Sequence, residues 1–444
     1  MSLGNILSVA RSALLAQQTA VQVASQNLSN AATEGYSRQR AALAPGDAVR
    51  TAGGLLGTGV RVRNVERARD SLLDVAVRRE GGNAAGAGLR RDLLGEVEGV
   101  FGELSGTPVA GALDEFWNAW SDLASHPDTD SLRGLVQLQG GRVATTINGA
   151  LDALAQVGEA ARDRVMATVS EVNNLAARVA DLNGQIQTAE LGGATAGDLR
   201  DSRDLLLDDL AKRSGARVLE RPDGTLAVAI GGATIVDGTS TRALEVRTTA
   251  GTLSVGLVGS PSTVSGMGGE AAAALEVHNG EVPRVSDELR RLGAAVATEV
   301  NAVHRAGNGR DFFAVDASGR LSLSPDVANA ANIGLSPGGR GDNRMALDLA
   351  ALRDRAVPSL GGRTFTDAHA EIVAGVGHRL RAADQDTGVY ETLQRQAESR
   401  RGSVSGVSTD EELVTLMRHQ QAYAAAARLV TTVDEMMQAV LGMK

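Results

Sequence analysis

Both ends of this chain carry apolar stripes at helical spacing, and no other feature constrains its fold as strongly. At the N-terminus Leu3, Leu7, Ala10, Leu14, Gln17, Val21, Ala24 and Leu28 alternate at three and four residues, so Leu7, Leu14, Val21 and Leu28 share one heptad position. Ser2 can cap the first turn, and Asn27, Asn30, Ala31, Thr33 and Gly35 end the run with loop-forming residues. At the C-terminus Leu413, Leu416, Tyr423, Ala427, Val430, Met437 and Leu441 form a similar stripe, with no Pro and no Gly from Ser408 until Gly442. Ser408 and Glu411 have capping-box spacing; Asp410, Glu411 and Glu412 suit the positive end of a helix, and Lys444 the negative end. A helix from Thr409 to Gly442 would be ~50 Å long, and a stripe of that length must find a partner helix. The two ends are predicted to pair, with the rest of the chain inserted between them. Ala10, Ala24 and the run Ala422 to Ala427 give this pair a small-residue seam and leave the larger Leu and Met side chains for neighbours.

The interior predicts a mainly α protein. A helix is expected from about Ala68 to Leu104, with a break at the glycines between Gly81 and Gly88, each costing about 1 kcal/mol in a helix interior. Leu113, Phe116, Trp117, Trp120, Leu123 and Ala124 make a stripe that His126-Pro127 terminates, and the tryptophans read as core. A long block follows from Thr129 to Leu191. In it Val165, Val172, Val179 and Ile186 hold one heptad position and Leu175, Leu182 and Ala189 another, a coiled-coil pattern suited to helix pairing. Further helices are expected at about Val285–His304 and Thr366–Arg400. Between them, period-two alternation at Val218, Leu226–Ile230, Leu244–Val246 and Leu253–Leu257, punctuated by Gly pairs, predicts a small antiparallel β region at about 216–268. A shorter hairpin is expected at about 312–323, turning at Asp316 to Gly319, and a brief edge strand at Val60, Val62 and Val65.

No catalytic, cofactor-binding or metal-binding residues are nominated. The chain has no cysteine, so it offers neither a thiol nucleophile nor a disulfide framework. Its net charge of −9, with no dense basic run, argues against a nucleic-acid partner. His126, His278, His304, His369, His378 and His419 show no ligand spacing. The glycines Gly53, Gly54, Gly57 and Gly59 precede strand-like residues instead of linking a strand to a helix, which is the wrong context for a phosphate cradle. Arg340-Gly341-Asp342 is too short a motif to carry a function. Asp201, Asp204, Asp208 and Asp209 with Arg200 and Arg203 read as a solvated, salt-bridged helix face. No apolar run spans a bilayer and no secretory signal opens the chain, so no membrane association is expected.

The segment from Ser25 to Arg40 resembles the loop after the first helix in the axial proteins of the bacterial flagellum, and the segment from Gly406 to Leu441 resembles their shared C-terminal helix. The stretches 56–80, 113–136, 198–218, 300–315 and 365–377 resemble the inner helical domain of one group of them, the hook-associated protein 1 family. The resemblance implies a structural, non-enzymatic adaptor between hook and filament, exported unfolded through the flagellar type III apparatus and located extracellularly. It implies paired terminal helices (1–40 with 405–444) and an elongated inner helical domain (41–404). Longer relatives place a further domain outside this body, for which the chain is too short. The implied partners are further copies of itself, the hook protein, the next hook-associated protein and a cytoplasmic export chaperone. The assembly interface would use Leu3, Leu7, Leu14, Val21, Leu28, Asn30, Gly35, Tyr36, Leu416, Tyr423, Ala427, Val430, Met437 and Leu441. Chaperone binding would use Leu413, Leu416, Met417, Tyr423, Leu429, Val433, Met436 and Met437. Two alternatives stand beside this reading: another axial protein, either hook protein or flagellin-like subunit, and a helical enzyme with no recognisable site.

Overall fold

The computed structural model describes residues 3–51, 54–103, 109–193, 195–334, 338 and 341–442. Ser2 and Lys444, and with them the expected first cap and last charge, lie outside the described residues, as do Gly53 and Arg340. Helix α1 (Leu3–Ser29) leads into strands β1 (Gln39–Pro45), β2 (Val49–Thr51), β3 (Gly54–Leu56) and β4 (Val60–Arg67). Helices α2 (Ser71–Glu103), α3 (Val109–Ser125), α4 (Asp130–Glu190) and α5 (Gly197–Ser214) follow. The β region holds β5 (Arg217–Glu220), β6 (Leu226–Ile230), β7 (Ala233–Asp237), β8 (Ser240–Thr241), β9 (Leu244–Thr249) and β10 (Thr252–Leu257). Helix α6 (Gly269–Glu276) continues through a π turn, Val277–Glu281, into α7 (Val282–Asn308). The chain ends with hairpin β11 (Phe313–Val315) and β12 (Leu321–Leu323), the short α8 (Arg344–Ala350), α9 (Phe365–Ser405) and α10 (Thr409–Leu441). The molecule is mainly α with small antiparallel sheets, as expected.

Helix α4 is the spine. At 61 residues it is ~90 Å long. Val165, Val172, Val179 and Ile186 are fully buried, and α4 packs on α5, α6, α7 and the β region, so the expected helix pairing forms with several elements in place of one long partner. A heptad stripe marks a buried face without naming what covers it. Six of the seven Phe and Trp side chains gather at the other end of α4: Phe116, Trp117, Trp120, Phe312, Phe313 and Phe365, with ring centroids such as Phe312–Phe313 4.8 Å apart. Scarce aromatics are thus concentrated where α3, the β11–β12 hairpin and the start of α9 meet.

The expected break in α2 does not occur. Two of its glycines serve close packing instead: a Cβ on Gly82 would sit 2.8 Å from the Ala211 carbonyl oxygen, and one on Gly86 2.9 Å from that of Gly269. The helix-propensity cost is offset by letting α5 and α6 approach the α2 backbone. The Val60 edge is longer than expected, pairing from Gln39↔Arg67 to Pro45↔Val60 with a bulge at Ala42/Leu43. The helix expected from Val285 begins earlier, because the π turn carries the helical path through Pro283, which lacks an N–H to donate.

Asparagines fasten the strands to these helices. Asn173 donates from Nδ2 to the Leu244 carbonyl (2.9 Å) and accepts the Leu244 N–H on Oδ1 (2.8 Å), as a neighbouring strand would. Asn148 holds Leu321 in the same way, Asn183 holds Leu226, Asn279 holds Leu253 and Asn301 holds Phe313. Asn279 lies in the π turn, whose changed pitch aims it at β10. Asn173→Ala would leave the Leu244 N–H and C=O without this partner. It is expected to cost about 2 kcal/mol in denaturant unfolding and to speed hydrogen exchange at Leu244, while exchange around Phe313 stays unchanged.

Candidate assembly site at the terminal-helix joint

Helices α1 and α10 pack antiparallel, with Asn27 meeting Glu412 (3.1 Å) and Gln17 meeting His419 (2.7 Å). The α1 side chains buried against α10 and the β1–β4 ladder are Ala10, Ala16, Ala20, Val23, Ala24 and Asn27; on α10 the buried residues are Glu412, Ala426 and Val433. Ala10 and Ala24 lie in the seam as expected. On α10 it is Ala426 that is buried, with Ala422 and Ala427 half-buried and Ala424 and Ala425 exposed. Small side chains let the helices come close; a leucine seam would hold them apart.

The leucine heptad position therefore lies beside the seam. Leu3, Leu14, Val21, Leu28, Leu416, Ala427 and Val430 are half-buried, and Leu7, Tyr423, Met437 and Leu441 are exposed. Of the residues expected to meet a chaperone, Leu413, Met417, Tyr423, Leu429, Met436 and Met437 are exposed, Leu416 is half-buried and Val433 is sealed in the seam. The capping box forms by half. Ser408 accepts the Glu411 N–H at 3.5 Å, but the Glu411 carboxylate turns away to Arg38 at 3.0 Å.

The loop after α1 fits the joint closely. Asn30 donates to the Gln26 carbonyl (3.0 Å) and closes the helix. Gly35 has φ +77°, and a Cβ there would lie 2.5 Å from Cγ of Leu205 on α5. Only glycine suits that conformation at that distance. The Tyr36 hydroxyl donates to Asn27 Oδ1 (2.8 Å); burial, then the negative charges of Asp198, Asp201 and Glu412, push its pKa up to about 12. Asn27 is fully satisfied: Nδ2 also donates to the Gln39 carbonyl (2.8 Å), and Oδ1 accepts the Gln39 N–H (2.9 Å). Arg38 ties four segments together. Its Nε donates to Glu412 (2.6 Å), its guanidinium reaches Glu411, its N–H donates to Ser405 (2.9 Å), and its carbonyl accepts from Ala68 (2.7 Å).

Beneath this loop lies an ionic node that corrects the solvated-face expectation for α5. Asp201 accepts from the Ser37 N–H and hydroxyl and pairs with Arg67 (2.7 Å). Asp204 pairs with Arg67 (2.9 Å), Arg69 (3.1 Å) and Arg78 (3.0 Å). Asp208 pairs with Arg78 (2.9 Å) and Arg401 (2.6 Å), and Asp74 with Arg69 (2.6 Å). Four arginines face four aspartates, drawn from β4, α2, α5, α9 and the segment linking β4 to α2. Asp201 and Asp204 are buried; Asp209, turned off that face of α5, remains exposed. Burial alone would push the Asp204 carboxyl up, but Arg69, Arg67 and Arg78 outweigh it and hold it below the usual range. Arg203 is buried outside the node, donating to Asn183 (2.8 Å) and the Gly224 carbonyl (3.1 Å), and burial lowers its pKa to about 10. Asp201, Asp204 and Asp208 stand three and four residues apart, on one face of α5. That acidic stripe was the available signal, but its arginines come from four other segments.

A cleft of about 440 Å³ opens at the joint between α1, the β1–β4 ladder and the start of α5. Its lining contains one titratable side chain, Asp198, which accepts from Gln39 (3.2 Å). Among the described residues no group of three His, Asp or Glu side chains could hold a metal ion, and no helix is long and apolar enough to cross a membrane.

Because its pKa is depressed on folding, Asp204 stabilises the joint above the unfolded aspartate pKa of about 3.9, and that contribution is lost as pH falls through the lower folded value. Asp204→Asn is expected to cost about 3–5 kcal/mol at pH 7, since it leaves three arginines short of a partner. In thermal unfolding followed from pH 7 to pH 2, the gap between parent and variant should narrow below about pH 4. A constant gap would contradict this account.

Comparison with known proteins follows the same division of the chain. Residues 94–313 match a family described as the flagellar hook-associated protein FlgK helical domain. Residues 7–36 match the flagella basal body rod protein family, and residues 401–443 the C-terminal family of the flagellar basal body rod FlgEFG proteins; these are the two sides of the joint. Flagellar hook-associated protein 1 of Bacillus subtilis is 29% identical, over 98% of this chain and 97% of that one. The protein of the same name from Salmonella typhimurium is 24% identical over 100% of both. That alignment is 560 positions long against 444 residues here, so the Salmonella protein carries sequence with no counterpart in this chain. The solved structure of the flagellar hook junction protein FlgK from Burkholderia pseudomallei aligns at a TM-score of 0.47 and 22% identity, covering 56% of this chain and 47% of that one. Along its whole length the chain is similar to flagellar hook-associated protein 1, and its two ends match rod-protein families of the bacterial flagellum.

Proposed function

We propose that this chain is the structural adaptor joining hook to filament, assembled through its terminal helices and without enzymatic activity. The observation that carries the mechanism is the division of labour on α1 and α10. Alanines and a few polar groups occupy the intrachain seam, while Leu7, Leu15, Leu413, Met417, Tyr423, Met437 and Leu441 stay exposed along the same pair. Apolar side chains left out along a helix pair suit contacts with neighbouring subunits. In a helical array those contacts are heterologous, so one face would meet the hook protein or a copy below and another the next hook-associated protein above. Residues 1–40 with 405–444 would act as the assembling unit and 41–404 as the body it carries. Export would run through the flagellar type III apparatus, with a cytoplasmic chaperone covering the exposed α10 residues. Val433 joins that footprint only when α10 is detached from α1.

Two measurements test this reading. Ala426→Glu places a carboxylate in the seam and is expected to abolish filament attachment in cells that still secrete the variant, because an unpaired buried charge costs several kcal/mol. Arg418→Glu, on the exposed side of α10, should be far milder, at about 1 kcal/mol or less. Normal filaments with secreted Ala426→Glu, or equal damage from both variants, would sink the mechanism. Cells without the chain should build hooks and shed unpolymerised flagellin. Separately, the thin alanine seam leads us to expect that the pair forms in the monomer but opens more often than the body, so that limited proteolysis of dilute monomer cuts residues 1–30 and 415–442 first; equal protection of ends and body would count against so weak a seam.

A further inference from the structure

We infer that two polar rungs, Asn27–Glu412 and Gln17–His419, set the register of α1 against α10, and so fix the height at which the exposed Leu and Met side chains stand on the subunit. The consequence for assembly rests on the adaptor reading; the register itself does not. Glu412, His419, Ala426 and Val433 follow one another at seven-residue intervals on the α10 face that meets α1. The apolar part of this seam is made of alanines and two valines, Val23 and Val433, shallow side chains that distinguish poorly between one heptad and the next. The polar part is different in kind. Asn27 and Glu412 are both almost fully buried, Asn27 has no free hydrogen-bonding capacity, and the second Glu412 oxygen accepts from Arg38 at 2.6 Å. If α10 slid by one heptad, Asn27 and Arg38 would face His419 in place of Glu412, and Gln17 would face Ala426. That slide strands the Asn27 amide, deprives Arg38 of its buried carboxylate and leaves Gln17 against a methyl group. A single buried asparagine can dictate helix register in coiled coils for the same reason.

The absence of cysteine makes the register directly readable by paired cysteines. The native register places position 10 near 426, whereas a one-heptad slide brings 433 to that level, about 10 Å along the axis and beyond disulfide reach. In the full-length chain, Ala10→Cys with Ala426→Cys is expected to oxidise intramolecularly at least about tenfold more than Ala10→Cys with Val433→Cys, given that difference in reach. Adding Asn27→Leu, Glu412→Leu, Gln17→Leu and His419→Leu should bring the two yields within about threefold, because nothing polar then separates the registers. Gln17→Leu with His419→Leu alone should fall between. Three results would overturn the inference: no preference in the parent background, an undiminished preference in the quadruple variant, or loss of both cross-links there. The last would mean that the rungs hold the helices together without choosing between registers. The readout requires neither hook nor filament, so it separates cleanly from the adaptor reading, which fails instead if cells lacking the chain carry normal filaments.

Discussion

A peptide group at the start of a strand needs a donor and an acceptor beside it, and this protein repeatedly supplies both from one asparagine on a helix. Asn27, Asn148, Asn173, Asn183, Asn279 and Asn301 each grip the N–H and C=O of a single strand residue. The carboxamide carries a donor and an acceptor side by side, so it stands in for the missing neighbouring strand. Two-stranded hairpins are marginal in water, and all but one of these sheets are two-stranded and short. Fastened to α1, α4, α7 and the π turn, they become extensions of the helical frame. The same device that docks the β region therefore docks the loop leaving the first helix.

At the joint the carboxamide is joined by full charges. The node of Arg67, Arg69, Arg78 and Arg401 with Asp74, Asp201, Asp204 and Asp208 is balanced in sign and drawn from segments far apart in sequence. Burying such a set gains little over apolar packing when complete and is strongly unfavourable when one member is lost. Its value is directional. Hydrogen-bonded ion pairs have angles and lengths to satisfy, and an alanine seam has almost none. The orientation of the terminal pair on the body thus rests on polar geometry, with apolar contact supplying proximity.

What the sequence revealed was local chemistry. The ends of α4, the Ser408 cap, the turn at Asp316 to Gly319 and the stop at His126-Pro127 depend on residues within a few positions of one another. What it hid was set by distant partners. Gly82 and Gly86 read as helix breakers because the carbonyls of Ala211 and Gly269 that need their bare surface are more than a hundred residues away. The aspartates of α5 read as solvated because their arginines lie on other elements. Asn27 read as a loop former because its partners, Gln39 and Glu412, lie beyond its own helix; periodicity gives the stripe, but which flank of it is covered depends on the shape of the partner. The leucine and alanine faces of α1 are equally regular, and only the close approach of α10 distinguishes them.

The hydrogen bond from Arg38 N–H to Ser405 also describes how the chain is threaded. The polypeptide leaves the terminal pair at residue 38 and returns at residue 405, and these two crossing points are backbone neighbours 2.9 Å apart. Everything from 39 to 404 therefore hangs from the pair as a cassette whose entry and exit coincide. Any insert with adjoining ends can occupy that place without moving α1 against α10. Segments 7–36 and 401–443 match rod-protein families while 94–313 matches a different one, which is how a cassette looks when its socket is shared and its contents are not. Exchanging what lies between residues 39 and 404 would then change the girth of the molecule and leave the α1–α10 pair untouched.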